Sequence, residues 1–159
     1  MIVIVDNGKG AENISKFLRM PNKIVKPSQI DSIKANAYIL SDGDIKNQKL
    51  NEKLIQKTNV PVLGIGIGYI FVGAAFGAKI RSATKSEKQE KLMLKKPCPL
   101  TLDLKKMFTV YQSYNNVFSE VPENFTIAAS SSKYEYEIIM EMTRPLFGVN
   151  FLPEKGGDG

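Results

Sequence analysis

The segment of this chain that could carry nucleophilic chemistry is a glycine-rich turn that follows an apolar run. The run Val60-Pro61-Val62-Leu63 leads into Gly64-Ile65-Gly66-Ile67-Gly68-Tyr69. Many hydrolases place their nucleophile on such a sharp turn between a strand and a helix, in a backbone conformation that costs a non-glycine residue about 1–3 kcal/mol. Gly66 stands at the nucleophile position, where it adopts positive φ without that strain and offers no nucleophile. The three alternating glycines also fit a plain tight turn between a strand and a helix.

A second segment, near the end of the chain, connects this turn to a family. Together with Leu146-Phe147-Gly148-Val149-Asn150-Phe151-Leu152-Pro153-Glu154, the turn resembles the motifs GxCxGxQ and FGxQFHPE of the class I, triad-type glutamine amidotransferases. In that family the cysteine attacks the glutamine amide, the histidine activates the cysteine, and the glutamate orients the histidine. The resemblance puts Gly66 at the cysteine position and Leu152 at the histidine position. Of the triad, only Glu154 matches.

The resemblance also implies the remains of a substrate pocket. Ile70 replaces the family's substrate-contacting glutamine, and Ser113-Tyr114 stands where the family has a Ser-His pair. The loop Ser41-Asp42-Gly43-Asp44 replaces the family's glycine-rich oxyanion segment, and its two acids would disfavour a developing negative charge. The vestigial pocket is therefore expected to be formed by Gly43, Gly64, Ile67, Gly68, Tyr69, Ile70, Ser113 and Tyr114.

Within the family, the chain looks most like the separate glutaminase subunit of archaeal GMP synthetases. The shared landmarks include the opening strand that ends at Asp6-Asn7 and the segment Ala128-Ala129-Ser130-Ser131. This resemblance implies a protein partner, a synthetase-type subunit, with self-association as the alternative. Family members continue into a C-terminal helix where this chain has Lys155-Gly156-Gly157-Asp158-Gly159, so we expect that helix to be absent or rebuilt.

The composition contains no histidine, which removes the base of cysteine–histidine chemistry. The single thiol, Cys98, lies between two prolines well past the turn, and we expect an ordinary cysteine there. The leading hypothesis is a catalytically inactive glutamine amidotransferase-like protein that acts as a binding or regulatory subunit, without a cofactor or a metal. The alternative is an enzyme of different chemistry that uses Asp42, Asp44, Glu154 and Tyr114, although their spacing matches no recognised metal pattern.

The hydrophobic pattern predicts an α/β fold in one domain over residues 1–159. Apolar runs typical of parallel strands buried on both faces occur at 2–5, 23–25, 37–40 and 62–65. Helices are predicted around residues 14–18 and over 47–57 and 69–76. Segments typical of antiparallel or mixed strands follow at 108–111, 125–130, 134–141 and 147–151. With the family resemblance, these elements predict a flavodoxin-like, mainly parallel central sheet flanked by helices, with a mixed or antiparallel second half.

The net charge of +6 comes from one segment. Residues 79–106 carry nine Lys or Arg against three Asp or Glu, and the rest of the chain carries thirteen of each. The mixed signs over 85–91 favour a solvated face or loop; the functional alternative is a docking patch on a basic scaffold, for an acidic partner or nucleic acid. No recognised nucleic-acid motif accompanies the segment. The basic docking patch would consist of Lys79, Arg81, Lys85, Lys88, Lys91, Lys95 and Lys96.

Length and hydropathy set the broad class. With 159 residues and a hydrophobic fraction of 43%, the chain can bury a sizeable core. No apolar run approaches the roughly 18 residues that cross a bilayer, and Met1 leads straight into a short strand. We therefore expect a cytoplasmic protein without a membrane segment.

Overall fold

Nine strands form one sheet in the computed structural model, which describes residues 1–159. The strands are β1 Ile2–Val5, β2 Asn22–Val25, β3 Ala37–Leu40, β4 Val62–Ile65, β5 Lys79–Leu94, β6 Met107–Glu120, β7 Phe125–Ser130, β8 Ile138–Glu141 and β9 Leu146–Val149. The α-helices that follow β1, β3 and β4 are α1 Ala11–Phe17, α2 Gln48–Lys57 and α3 Ile67–Ala74. Across the sheet the strands lie in the order β2-β1-β3-β4-β9-β8-β7-β5-β6.

The half of the sheet from β2 to β9 is parallel. Its inner strands β1, β3 and β4 are apolar on both faces because both faces are covered, and residues 3–5 of β1 are fully buried. The predicted flavodoxin-like parallel sheet is confirmed. The apolar residues of the predicted helices are only partly buried, because Phe17 is 69% exposed and Leu50 is 43% exposed. The short α1 buries Ala11 and Ile14 instead, and ends before a wider stripe can form.

The other half of the sheet is antiparallel, and it contains longer strands than the sequence predicts. β8 pairs with β9 and β7, and β7 reaches β5 only at Met93 and Leu94. Most of β5 therefore pairs with β6 alone, in a long antiparallel ribbon. The segment 85–91 is the middle of β5 and is mostly exposed, so the expected solvated face is present, but as a strand rather than a loop. Lys and Glu have a weak preference for strands, which pairing with β6 overrides. The predicted strand 108–111 is the start of β6, and only 138–141 of the predicted 134–141 is strand.

The loops after β1 and β3 are fastened to each other and to α2. The Asn7 N–H donates to Ser41 Oγ at 2.9 Å, and the Asn7 amide donates to the Ser41 carbonyl at 3.1 Å. Asn51 of α2 donates to Asn7 Oδ1 at 2.8 Å. All three residues are buried, and their polar groups are paired, so this network holds the loop 41–44 firmly.

The β5–β6 ribbon packs against α3. The ring of Phe118 in β6 lies 4.6 Å from the ring of Tyr69, centroid to centroid, and fills the space beside Gly73. Sheet and ribbon together bury nearly all of α3, the helix that begins at the glycine-rich turn. Neither α3 nor any other helix of the structure has the length and apolar character needed to cross a membrane.

Candidate functional site

Gly66 has the backbone geometry of a nucleophile turn. β4 ends at Ile65, Gly66 has φ 59° and ψ −115°, and α3 begins at Ile67. The Gly66 N–H donates to the Val149 carbonyl on β9 at 3.2 Å, which ties the turn to the neighbouring strand. This combination of dihedral angles strains any residue that has a side chain. The turn presents position 66 at the carboxyl end of the parallel sheet, where α/β proteins bind ligands.

The carboxylate of Asp42 occupies the space that a side chain at position 66 would need. A Cβ built on Gly66 would lie 2.6 Å from Asp42 Oδ1 and 2.7 Å from Asp42 Cγ. The same Oδ1 accepts the N–H of Ile67, the first residue of α3, at 2.8 Å. A free N–H directly after the nucleophile is what stabilises an oxyanion in acyl-transfer enzymes. In this chain an internal carboxylate uses that donor and caps the positive end of α3.

Gly43 allows the loop after β3 to touch the loop after β1. Gly8 and Gly43 form an isolated antiparallel bridge, and the Asp44 N–H donates to the Asn7 carbonyl at 2.9 Å. A Cβ on Gly43 would collide with that Asn7 carbonyl, so the approach requires glycine. The Asp44 side chain turns away to accept the Lys46 N–H at 2.9 Å. Of the two acids in this loop, Asp42 alone reaches the turn.

A polar pocket of about 80 Å³ lies over Gly66. The expected pocket residues that line it are Gly43, Ile67, Ile70, Ser113 and Tyr114. Asp42 also lines it, together with residues that the sequence did not assign to it: Lys9, Lys85, Asn115 and Asn116. The volume is small beside the roughly 300–1,000 Å³ of typical ligand sites. The pocket therefore brings the Asp42 carboxylate together with two lysines, Lys9 and Lys85, in one small polar space.

Three residues expected in the pocket serve packing instead. A Cβ on Gly64 would collide with the Gly68 carbonyl, and a Cβ on Gly68 would collide with the Leu40 carbonyl. Both glycines thus let α3 approach β3 and β4 closely. Tyr69 is 1% exposed, and its hydroxyl donates to the Tyr136 carbonyl. These residues hold the turn in place without lining the pocket.

Leu152 and Glu154 do not line the pocket either. Leu152 is buried in a hydrophobic cluster with Ile14. The Glu154 carboxylate lies against Gly10, where a Cβ would be 2.5 Å from Oε1, and both of its oxygens are buried without a hydrogen-bond partner. Burial raises the pKa of Glu154 above its usual value, and the negative charge of Asp42 raises it further. Glu154 therefore interacts electrostatically with the site while its carboxylate stays outside the pocket.

The remaining candidate groups show no activated chemistry. Cys98 is 2% exposed, and burial raises the pKa of its thiol, the opposite of what a reactive cysteine needs. The lysines at 95 and 96 line the same separate pocket as Cys98 but do not offset that burial. No group of three or more His, Cys, Asp or Glu side chains is arranged to hold a metal ion.

The basic segment does not form one continuous face. Lys88 and Lys91 of β5 are an odd number of positions apart, so strand alternation puts them on opposite faces of the ribbon. Lys95 and Lys96 lie beyond the end of β5. Three members of the predicted patch are in ion pairs: Lys79 with Glu120, Lys85 with Glu87, and Lys88 with Glu90. The predicted docking patch is thus divided among both faces and the end of the ribbon.

The comparisons of this sequence with known proteins all point to the same family. The family model of class I glutamine amidotransferases matches residues 3–158. A subunit of the glutamine-hydrolyzing GMP synthase of Methanocaldococcus jannaschii is 30% identical over 165 residues, covering 97% of this chain and 88% of that protein. The corresponding subunit from Methanococcus maripaludis strain C7 is 32% identical over 165 residues, covering 97% of this chain and 87% of that protein.

Solved structures agree with the sequence comparison. A proposed GMP synthase subunit from Thermoplasma acidophilum superimposes with a TM-score of 0.87 at 27% identity, covering 96% of this chain and 83% of that chain. A glutamine amidotransferase from Thermotoga maritima has a TM-score of 0.79 at 15% identity, covering 96% of this chain and 75% of that chain, which is a likeness of fold alone. The family resemblance predicted from the two motifs is confirmed.

Proposed function

Because the chain belongs to the class I glutamine amidotransferase family, we propose that it is a catalytically inactive member that acts as a binding or regulatory subunit of a synthetase-type partner. The observation that carries the proposal is the replacement of the nucleophile at the turn between β4 and α3. Gly66 supplies no nucleophile, and the Asp42 carboxylate fills the side-chain space and holds the Ile67 N–H. A negative charge already bound to that donor opposes the formation of an oxyanion next to it.

The absence of a base supports the same conclusion. Nucleophilic catalysis needs a group that can lose a proton and a partner that takes it. The chain has no histidine, and the position that resembles the family's histidine is the buried Leu152. The only thiol, Cys98, is buried in a separate pocket with its pKa raised. Neither half of a cysteine–histidine pair is therefore available at the turn.

The proposed partner follows from the relatives. The Methanocaldococcus jannaschii and Methanococcus maripaludis proteins are each named as one subunit of a glutamine-hydrolyzing GMP synthase. A chain that has kept this fold over nearly its full length can keep a surface for the same kind of partner. We therefore assign the partner as a synthetase-type subunit from the same cell, with self-association as the alternative assembly.

The first test is ammonia release from glutamine by the purified protein, alone and mixed with the cognate synthetase subunit. An active class I amidotransferase assayed in parallel is the positive control. We expect no release above the buffer blank. The proposal would be overturned by sustained ammonia release that co-purifies with this protein and is lost in Gly66→Ala.

The partner is tested separately by mixing the two purified subunits in size-exclusion chromatography with light scattering. A complex of defined stoichiometry supports the regulatory role. In that complex the synthetase should use added ammonium salt but not glutamine as its nitrogen source. If this protein runs unchanged beside the synthetase subunit, the proposed partner is wrong.

A second candidate function is proton-transfer chemistry by carboxylates, and one observation favours it. Glu154 is a buried carboxylate without a hydrogen-bond partner, and burial raises its pKa, as in many catalytic acids. Its position against Gly10, outside the pocket, disfavours contact with a substrate. Any activity found in a substrate screen should disappear in Glu154→Gln if this residue transfers the proton; unchanged turnover removes Glu154 from the mechanism.

A further inference from the structure

A second pocket lies on the β5–β6 ribbon, shares Lys85 and Tyr114 with the pocket over Gly66, and has a strongly basic lining. Its volume is about 380 Å³. The cations that line it are Arg81, Lys85 and Lys133, and hydroxyl groups of serine, threonine and tyrosine complete its wall. No aspartate or glutamate lines it. The pocket therefore offers many hydrogen-bond donors and a concentrated positive charge to one ligand.

An irregularity in β5 shapes this pocket. Ser82 lies opposite Asn116 of β6, and Ser86 lies opposite Tyr114, so three residues of β5 face a single residue of β6. Such a bulge bends the strand and takes the extra residues out of the regular ladder. The bulged residues 83–85 line the pocket. The concave shape is thus built into the backbone rather than produced by mobile side chains alone.

The charges in the pocket are incompletely neutralised. Arg81 and Lys133 take part in none of the five ion pairs of the structure, and Lys85 pairs with Glu87 at 3.0 Å. The Arg81 guanidinium lies over the ring of Tyr134, 5.6 Å from its centroid, which orients it. The ammonium group of Lys88 beside Lys133 lowers the pKa of Lys133. An anion bound in the pocket beside Lys133 would offset this repulsion.

We propose that this pocket binds the phosphate group of a small phosphorylated ligand. A phosphate dianion carries several acceptor oxygens, which match a guanidinium fork, ammonium groups and hydroxyl donors. A concave pocket of about 380 Å³ suits one phosphomonoester better than a polymer. A nucleic acid would also use cations of the ribbon that lie outside this pocket, such as Lys91.

The proposal is tested by calorimetric titration of the full chain with inorganic phosphate and with glycerol 3-phosphate, at constant ionic strength. We expect saturable binding of one equivalent, weakened about tenfold by Arg81→Gln or Lys133→Gln, since each removes a charge-assisted hydrogen bond. Lys91→Gln is the matched control, because it removes a lysine of the same strand that does not line the pocket, and it should bind like the original protein. All variants are first compared by circular dichroism and urea unfolding.

The two probes separate the possible sources of the phosphate. Tighter binding of glycerol 3-phosphate assigns the site to a phosphorylated metabolite, and equal binding assigns it to free phosphate; both support the site. No saturable binding at millimolar phosphate overturns it. Equal weakening by Lys91→Gln and Arg81→Gln, or tight binding only to a single-stranded oligonucleotide with steep salt dependence, also overturns it, because the charges would then act as a general polyanion surface.

Discussion

Replacing Gly66 by alanine is expected to destabilise the protein through Asp42 as well as through the backbone. The new Cβ would lie 2.6 Å from the Asp42 carboxylate oxygen that accepts the Ile67 N–H. Either the carboxylate moves and loses that hydrogen bond, or the turn opens. The φ of 59° adds strain that glycine does not have.

The two contributions can be separated in magnitude. Backbone strain at such a position costs about 1–3 kcal/mol, and overpacking a tight contact costs about 1–3 kcal/mol more. Asp42→Ala alone should cost about 1–2 kcal/mol because α3 loses its cap. In the double variant the overpacking disappears, so its loss of stability should be smaller than the sum of the two single losses by about 1–3 kcal/mol.

The assay is urea unfolding followed by circular dichroism for the four proteins of this double-mutant cycle. Gly77→Ala is the matched control, since Gly77 also has positive φ, 88°, but no atom lies within 4 Å of the place that a Cβ would take there. It should show strain alone, and its effect should add to that of Asp42→Ala. If Gly66→Ala and Asp42→Ala are additive within about 0.5 kcal/mol, Asp42 does not occupy the side-chain space at position 66.

Three further outcomes are expected. Phe118→Ala should lower the free energy of unfolding by about 3–5 kcal/mol, because the ring is buried against α3, whereas Met107→Ala on the same strand, 53% exposed, should change it little; similar losses would contradict the packing. Burial raises the pKa of Glu137 to about 7 from its ordinary value of 4.5. Stability should therefore fall by about 3 kcal/mol as pH rises between these values, and Glu137→Gln should reduce that slope in thermal unfolding; an unchanged slope would contradict this assignment. Gly66→Cys should release no ammonia from glutamine in an assay that detects an active relative, because no base is present.

The sequence predicts the parallel half of the fold well and the ribbon poorly. Runs such as residues 2–5 and 62–65 stand out because strands covered on both faces must be apolar throughout. β5 has the opposite character. Its exposed positions carry lysine and glutamate, and its stability comes from pairing with β6, which a local pattern does not contain.

The residues of the candidate site are likewise predicted only in part. Position 66 is readable from the chain because glycine at a nucleophile turn is a local feature. The pocket is also lined by Lys9, Asn115 and Asn116, which come from a loop and a distant strand. Their spacing in the sequence therefore does not predict them. Tyr69 is misassigned because a residue next to the turn in sequence need not face the pocket. In α3, Ile67 and Ile70 lie three positions apart and share the pocket face, whereas Tyr69 points to the ribbon.

The position of β9 in the sheet restricts the order in which the parts of the chain can fold. β9 is the last strand in sequence, yet it lies between β4 and β8, where Val62 pairs with Leu146 and Ile138 pairs with Val149. Until β9 docks, the parallel and antiparallel halves share no strand, and each leaves an unpaired strand edge, β4 on one side and β8 on the other. During synthesis these edges stay open until residues 146–149 arrive, so the nascent chain is most exposed to misassociation just before its last strand is available.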